Sequence, residues 1–132
     1  MKLASISLLL LTALTLACGY SAKTTPPSAG TAPAISKLVP NSANAGGPAF
    51  NMIVNGSNFG SKAVVNWNGA ALGSNTTFVS GSQLTVAVPA SMIATPANVA
   101  ITVTNPATTG NGLYGNGGTL AATSSAMTFT IN

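Results

Sequence analysis

The chain of 132 residues is long enough for one ordinary domain, and it contains no Asp, no Glu and no His. General acid–base catalysis near neutral pH draws mainly on those residue types, and zinc or calcium sites take ligands from Cys, His or carboxylates. Four scattered lysines give a net charge of +4 without forming the basic patch that nucleic acid requires. We therefore expect no catalytic residue, no metal, no cofactor and no nucleic-acid partner.

Residues 1–17 have the features of a secretory leader. Lys2 is a positively charged start, and Leu3 to Leu16 form an apolar stretch. That stretch is shorter than the roughly 20 apolar residues that cross a bilayer comfortably. A segment rich in Pro, Ser, Thr and Gly follows, which argues against a buried helix of the fold. We expect residues 1–17 to be a signal peptide that directs export.

The run Thr15-Leu16-Ala17-Cys18 resembles the lipobox of bacterial lipoproteins, although Thr15 stands where leucine is preferred. The resemblance implies diacylglycerol transfer to the Cys18 sulfur, cleavage after Ala17 and acylation of the new amino terminus. It implies a lipid-anchored protein of the bacterial cell envelope, facing the periplasm or the surface, with the membrane as a partner. Cys18 is the only cysteine, so no disulfide competes for its thiol. The alternative is an ordinary signal peptide cleaved near Ala17 or Ala22.

Residues 18–33 connect this cysteine to the rest of the chain. Pro26, Pro27 and Pro33 lie there among small residues without apolar periodicity. Such a composition predicts an extended, mobile tether. We expect a single folded domain over residues 34–132.

From residue 34 onward, short segments with alternating apolar residues are separated by turn residues, which is typical of a β-sandwich. Phe50, Met52 and Val54, for example, alternate with less apolar neighbours, as in a strand with one buried face. The predicted strands are Ile35–Val39, Phe50–Asn55, Ala63–Trp67, Thr76–Ser80, Gln83–Val88, Asn98–Asn105 and Ala126–Ile131.

The connections between these strands carry their own signals. Residues 41–48, which include Gly46-Gly47, are predicted to be a turn, and residues 55–60 to break the second strand and return Phe59 to the core. Asn68-Gly69 predicts a tight hairpin because both residues tolerate positive φ. Residues 90–95 are predicted to form at most one helical turn. Trp67 is either a ligand platform or a core anchor, and its place in the third strand favours the core.

Several of these features together resemble the IPT/TIG family of immunoglobulin-like domains over residues 33–132. The resemblance implies an immunoglobulin-like β-sandwich of the early-set type, all-β with about seven to eight strands, and no common catalytic residues. Members of the family include DNA-binding proteins, modules of surface receptors and adhesins, and tandem spacers, so the fold alone does not assign a partner. The features are Pro33-Ala-Ile, Leu38, Pro40, Gly46-Gly47, Val54-Asn-Gly-Ser-Asn-Phe59, Val65-Asn-Trp-Asn-Gly69, Gln83-Leu84, Val88-Pro89 and Val99 to Asn105.

The segment 106–125 is the candidate functional loop. A structureless connection of that length is unusual in a compact domain and is often functional. Leu113 and Tyr114 form an apolar–aromatic pair among its glycines, and we expect them to contact a ligand if the loop binds one. The alternative is a tolerated surface insertion in which Leu120 extends the final strand.

The sequence thus predicts a non-catalytic envelope lipoprotein that presents one sandwich as a binding or scaffolding module for a protein or carbohydrate ligand. One alternative is a structural spacer, or an envelope subunit that assembles through strand edges protected only by Lys37 and Lys62. Another is a truncated fragment of a larger multidomain surface protein.

Overall fold

A computed structural model describes residues 27–110 and 117–132. Within these ranges the chain forms ten strands, seven of four or more residues and three of only two. The strands lie in two sheets, which confirms the all-β immunoglobulin-like sandwich. They are β1 (Ala34–Val39), β2 (Ser42–Ala43), β3 (Phe50–Ser57), β4 (Val64–Trp67), β5 (Ala70–Ala71), β6 (Thr76–Ser80), β7 (Gln83–Val88), β8 (Ala97–Asn105), β9 (Ala122–Thr123) and β10 (Met127–Ile131).

The first sheet has the order β1-β3-β7-β6, and all its pairs are antiparallel. Met52 and Val54 of β3 stand directly opposite Val86 and Leu84 of β7, and all four side chains are buried. The period of two in both strands therefore places one apolar row on the inner face, as predicted.

The second sheet has the order β2-β10-β8-β4-β5, with β9 also paired to β8. Its inner face is supplied mainly by alternate residues of β8, namely Val99, Ile101 and Val103, and by Phe129 and Ile131 of β10. All pairs are antiparallel except β2 with β10, which is parallel.

Trp67 lies in the core between the sheets, and this confirms its predicted structural role. Its side chain is only 7% exposed, and its ring lies 5.3 Å from that of Phe129, centroid to centroid. Phe129 also stacks on Phe50 of the opposite sheet at 5.8 Å. These separations fall within the range of favourable aromatic pairs, so the three rings join the two sheets.

Two predicted turns are confirmed by the backbone. Asn68 and Gly69 both have positive φ, 50° and 88°, and they connect β4 to β5 as a hairpin. A single 3₁₀ turn occupies Ala90–Ile93, directly after Pro89.

Other predictions about the connections were wrong. Residues 41–48 are not only a turn, because Ser42–Ala43 forms β2 and pairs with β10. The second strand does not break at residue 55 but continues to Ser57. Leu120 does not extend the last strand, which begins at Met127.

Segment 106–125 was expected to be structureless, and its described parts are not. Ala122–Thr123 forms β9 against the end of β8. The next residue, Ser124, is buried and exchanges hydrogen bonds with Val103, whose N–H donates to the Ser124 Oγ at 2.9 Å. These contacts hold the segment against β8 up to the final strand.

Candidate functional site

A cleft of about 780 Å³ opens at the end of the sandwich where β3 and β8 terminate. Three parts of the chain line it: Gly30 and Thr31 before β1, residues 58–62 between β3 and β4, and residues 105–109 with Thr119 and Leu120 after β8. We call it the loop-end cleft. The described parts of the predicted functional loop therefore form one of its walls.

The wall between β3 and β4 depends on three residues with special backbone or packing requirements. A Cβ at Gly56 would overlap the carbonyl oxygen of Ala34 and the ring of Phe59, so only glycine fits there. Asn58 has a φ of 59°, a left-handed conformation that asparagine tolerates. The Phe59 N–H then donates to the Gly81 carbonyl at 2.9 Å, and its ring is buried as predicted.

Asn105, the last residue of β8, joins all three parts of the cleft. Its Oδ1 accepts a hydrogen bond from the Gly60 N–H at 2.8 Å. Its Nδ2 donates to the Asn58 carbonyl at 2.7 Å and to the Thr31 carbonyl at 3.1 Å. One half-buried amide thus fixes the base of the cleft.

The segment before β1 lies against the loop after β8. The Ser28 N–H donates to the Gly118 carbonyl at 3.1 Å, and the Leu120 N–H donates to the Ser28 carbonyl at 3.0 Å. The loop after β8 also pairs with itself: Thr119 forms a β-bridge with Thr108, and their hydroxyl oxygens lie 2.8 Å apart. Residues 27–33, predicted as the end of a mobile tether, therefore contact the domain.

The charge of the cleft comes from Lys62, the one charged side chain among the residues that line it. The chain contains no acidic side chain to neutralise it. The remaining polar groups are hydroxyls, amides and backbone groups, and the apolar surface includes Leu120, which is 52% exposed. Such a lining can hydrogen-bond a polar ligand and attract an anion.

The described residues contain no group of His, Cys, Asp and Glu that could hold a metal ion. Over the same part of the chain, no helix has the length and apolar character to span a membrane. Cys18, Leu113 and Tyr114, the site residues named from the sequence, lie outside the described residues.

A family model described as the IPT/TIG domain matches residues 33–131, about three quarters of the chain. The chain belongs to the IPT/TIG family. IPT/TIG domains are typically non-catalytic immunoglobulin-like modules, and a comparison with curated proteins gives no match. In this IPT/TIG domain the glycine and phenylalanine three residues apart, Gly56 and Phe59, shape one wall of the loop-end cleft.

Beyond Phe59 and the predicted functional loop, the sequence did not reveal the residues of the cleft in this IPT/TIG domain. Asn105 was predicted only as the end of a strand, and Lys62 only as one of few charges. Asn105 contacts a residue 74 positions away in the chain, a relation that local periodicity does not encode. The only local signal was Pro106, which marks where β8 must stop.

Proposed function

We propose that this chain is a non-catalytic lipoprotein of the bacterial cell envelope, and that its IPT/TIG sandwich is a binding or scaffolding module with its binding site in the loop-end cleft. The observation that carries this proposal is the cleft itself. It has a volume of about 780 Å³, which is within the usual size range of ligand sites. Its base is fixed by Asn105, so the site is largely pre-formed.

The chemistry of the lining supports binding without catalysis. A hydroxyl nucleophile needs an adjacent general base, and the chain has no His, Asp or Glu to act as one. Lys62, Thr108 and Thr119 supply a cation and hydroxyls that orient a ligand by charge and hydrogen bonds.

The anchoring part of the proposal is supported by the lipobox-like run that ends at Cys18. An unpaired cysteine in an exported protein requires an explanation, and lipidation provides one. Diacyl modification would make the attachment stable, because a single acyl chain binds membranes only weakly.

The test of anchoring is to express the full chain in a bacterium and to analyse the mature protein by membrane fractionation and mass spectrometry. We expect acyl chains on residue 18 and recovery of the protein with the membranes. Cys18→Ser should release a folded domain from the membrane fraction. The matched variant Thr15→Leu, which restores the preferred lipobox residue, should stay anchored. An unmodified soluble product that begins at Gly19 or later would contradict the proposal.

The test of the binding site compares envelope components captured by the anchored wild-type protein with those captured by two variants. Lys62→Gln should reduce capture, because it removes the charge of the cleft. Lys37→Gln, on the outer side of β1 and away from the cleft, should leave capture unchanged. The pair Leu113 and Tyr114 stays a predicted ligand contact, and replacing both with Ser should weaken binding of the same component.

A second candidate function is an envelope subunit that assembles through the free edge of β6. This strand carries no charge, and its side chains Phe78 and Val79 are 39% and 53% exposed. An uncharged edge strand with exposed apolar side chains favours pairing with another strand. Sedimentation that depends on concentration would support assembly, whereas a monomer at all concentrations would support the binding module.

A further inference from the structure

We propose that the loop-end cleft docks on anionic lipid headgroups of the membrane in which the protein is anchored. This inference rests on the proposed function, because it requires lipid on Cys18. It assigns the cleft a ligand class, the headgroup phosphate, and gives the sandwich a fixed orientation on the membrane.

The anchoring segment meets the domain at one wall of the loop-end cleft. Ser28 is held by two backbone hydrogen bonds to the loop that forms one wall of the cleft. Pro27 follows Cys18 by nine residues, which span at most about 32 Å when fully extended. As the flexible tether predicted from composition, the same stretch has a root-mean-square length of about 17 Å.

The sandwich is longer than this tether is expected to be when relaxed. The nine residues of β8 extend about 30 Å from the cleft toward the opposite end. That opposite end holds the chain terminus, because the Asn132 N–H donates to Ala43 at 2.9 Å beside the start of β8. The cleft is thus at the end from which the tether leaves, and the relaxed tether keeps this end closest to the lipid.

The charge of the cleft is complementary to that of an anionic lipid surface. Lys62 lines the cleft, and the chain has no Asp or Glu side chain that would be repelled by phosphates. Hydroxyls of the lining supply donors for phosphate oxygens, and the exposed Leu120 matches the apolar region just below the headgroups. Lys62 and Leu120 line the same cleft, and interfacial amphipathic helices likewise present cations and apolar side chains to the membrane.

The expected strength of docking follows from these features. One lysine near an anionic surface changes a membrane equilibrium about fivefold at ordinary ionic strength. That effect is too small to recruit a soluble protein. In an anchored protein it adds to an effective concentration of the order of millimolar, which a short flexible linker provides.

The experiment uses the full chain matured in a bacterium, with acyl chains on Cys18 verified by mass spectrometry. The protein is reconstituted into vesicles of phosphatidylcholine alone or with 30% phosphatidylglycerol, each containing a lipid with a nitroxide on its headgroup. A fluorophore is placed on Ser82→Cys, in the turn before β7 at the cleft end, or on Ser91→Cys in the 3₁₀ turn at the opposite end. Lys62→Gln is compared with the matched variant Lys37→Gln.

In the vesicles with phosphatidylglycerol we expect strong quenching at residue 82 and weak quenching at residue 91. In the vesicles of phosphatidylcholine alone we do not expect this difference. Lys62→Gln should lower the ratio of docked to undocked protein about fivefold, and Lys37→Gln less than twofold. Inorganic phosphate titrated without vesicles should give no saturable binding.

Three results would overturn docking while leaving the anchor intact: equal quenching at the two positions, equal quenching in both kinds of vesicle, or equal effects of the two lysine variants. Saturable binding of inorganic phosphate would assign the cleft to a free anion instead of a headgroup. An absence of acyl chains on Cys18 would refute the anchoring itself and docking with it, so the two failures are distinguishable.

Discussion

Asn105→Ala is the change that tests most directly whether one amide holds the loop-end cleft together. The substitution removes three hydrogen bonds, with heavy-atom distances of 2.7, 2.8 and 3.1 Å, and leaves the backbone of β8 unchanged. Asn98→Ala on the same strand is the matched control. Asn98 is exposed, and its side chain makes one bond of 3.2 Å, accepted from the Thr130 hydroxyl.

The magnitude follows from the number of bonds and their exposure. A neutral hydrogen bond contributes about 0.5–1.5 kcal/mol to the free energy of unfolding, so three bonds give roughly 1.5–4.5 kcal/mol. Asn105 is half-buried, and water replaces part of what is lost. We expect a loss of about 2 kcal/mol for Asn105→Ala, or about 8–16 °C in Tm for a domain of this size. Asn98→Ala should change stability by no more than about 0.5 kcal/mol.

The assay is urea unfolding, followed by the fluorescence of Trp67, on chains that start at residue 18 and carry Cys18→Ser. Trp67 is the only tryptophan and lies in the core, so its emission reports global unfolding. If Asn105→Ala and Asn98→Ala have the same midpoint, the three bonds contribute nothing measurable. Asn105 would then not be the residue that fixes the cleft.

Asn105→Asp adds a pH readout to the same position. The aspartate retains the acceptor for the Gly60 N–H, but its charged form faces the carbonyl oxygens of Thr31 and Asn58 without a proton to donate. We expect this unfavourable contact to raise the pKa of the introduced carboxyl above its unfolded value of about 3.9. The protonated carboxyl should therefore contribute its full stabilisation below about pH 4, and this contribution should be lost as pH rises through the folded pKa. The parent chain has no Asp, Glu or His side chain, so its stability should be flat from about pH 3 to pH 8.

Further substitutions have expected outcomes in urea unfolding. The Trp67→Ala chain contains no tryptophan, so its unfolding is followed by far-UV circular dichroism instead of fluorescence. Trp67→Ala should cost about 3–5 kcal/mol, because it empties a large aromatic site in the core, and an unchanged midpoint would contradict its burial. Gly56→Ala should cost more than about 2 kcal/mol because its Cβ meets backbone, whereas Gly73→Ala, whose Cβ makes ordinary contacts, should stay within about 0.5 kcal/mol. Replacing Leu113 and Tyr114 together by Ser should also stay within about 0.5 kcal/mol, and a larger loss would mean that the pair is part of the core.

Local patterns in the sequence were sufficient for the long strands. The predicted bounds of β6 and β7 agree with the structure to the residue. Alternating apolar side chains mark β7, and turn residues flank both strands. The signal for the hairpin at Asn68-Gly69 was also local, since these two residues themselves favour the positive φ that the turn requires. The period of two needs several residues to be visible, and β2 and β9 have only two each. They are strands because β2 pairs with β10 and β9 pairs with β8.

The loop-end cleft was not predictable from such patterns, because its contacts join distant parts of the chain. Asn105 bonds to residues 45, 47 and 74 positions away. In the sequence the tether and the functional loop are separate features. In the structure the backbone of Ser28 forms hydrogen bonds with the backbones of Gly118 and Leu120. The composition of residues 27–33 predicted a mobile segment. Backbone hydrogen bonds between two irregular segments leave no periodic side-chain signal, so the contact with the domain was not predicted.

A chain without acidic side chains has no side-chain ion pairs to stabilise its sheets and few charges to protect their edges. On the outer face of the second sheet, Asn66 Nδ2 donates to the hydroxyls of Thr102 and Thr104, at 3.0 and 2.9 Å, so neutral cross-strand bonds replace salt bridges. Charge is one protection of sheet edges, and of the two edge strands of the first sheet β1 carries Lys37 whereas β6 carries no charge. Both strands also have register irregularities.

The irregularity in β1 lies between Ile35 and Lys37, and that in β6 lies between Phe78 and Ser80. A bulge bends the strand and interrupts the regular row of backbone donors and acceptors that a second strand would need. The exposed Phe78 and Val79 therefore lie on the part of β6 that is least suited to extend the sheet. This geometry favours the monomeric binding module over assembly through strand edges.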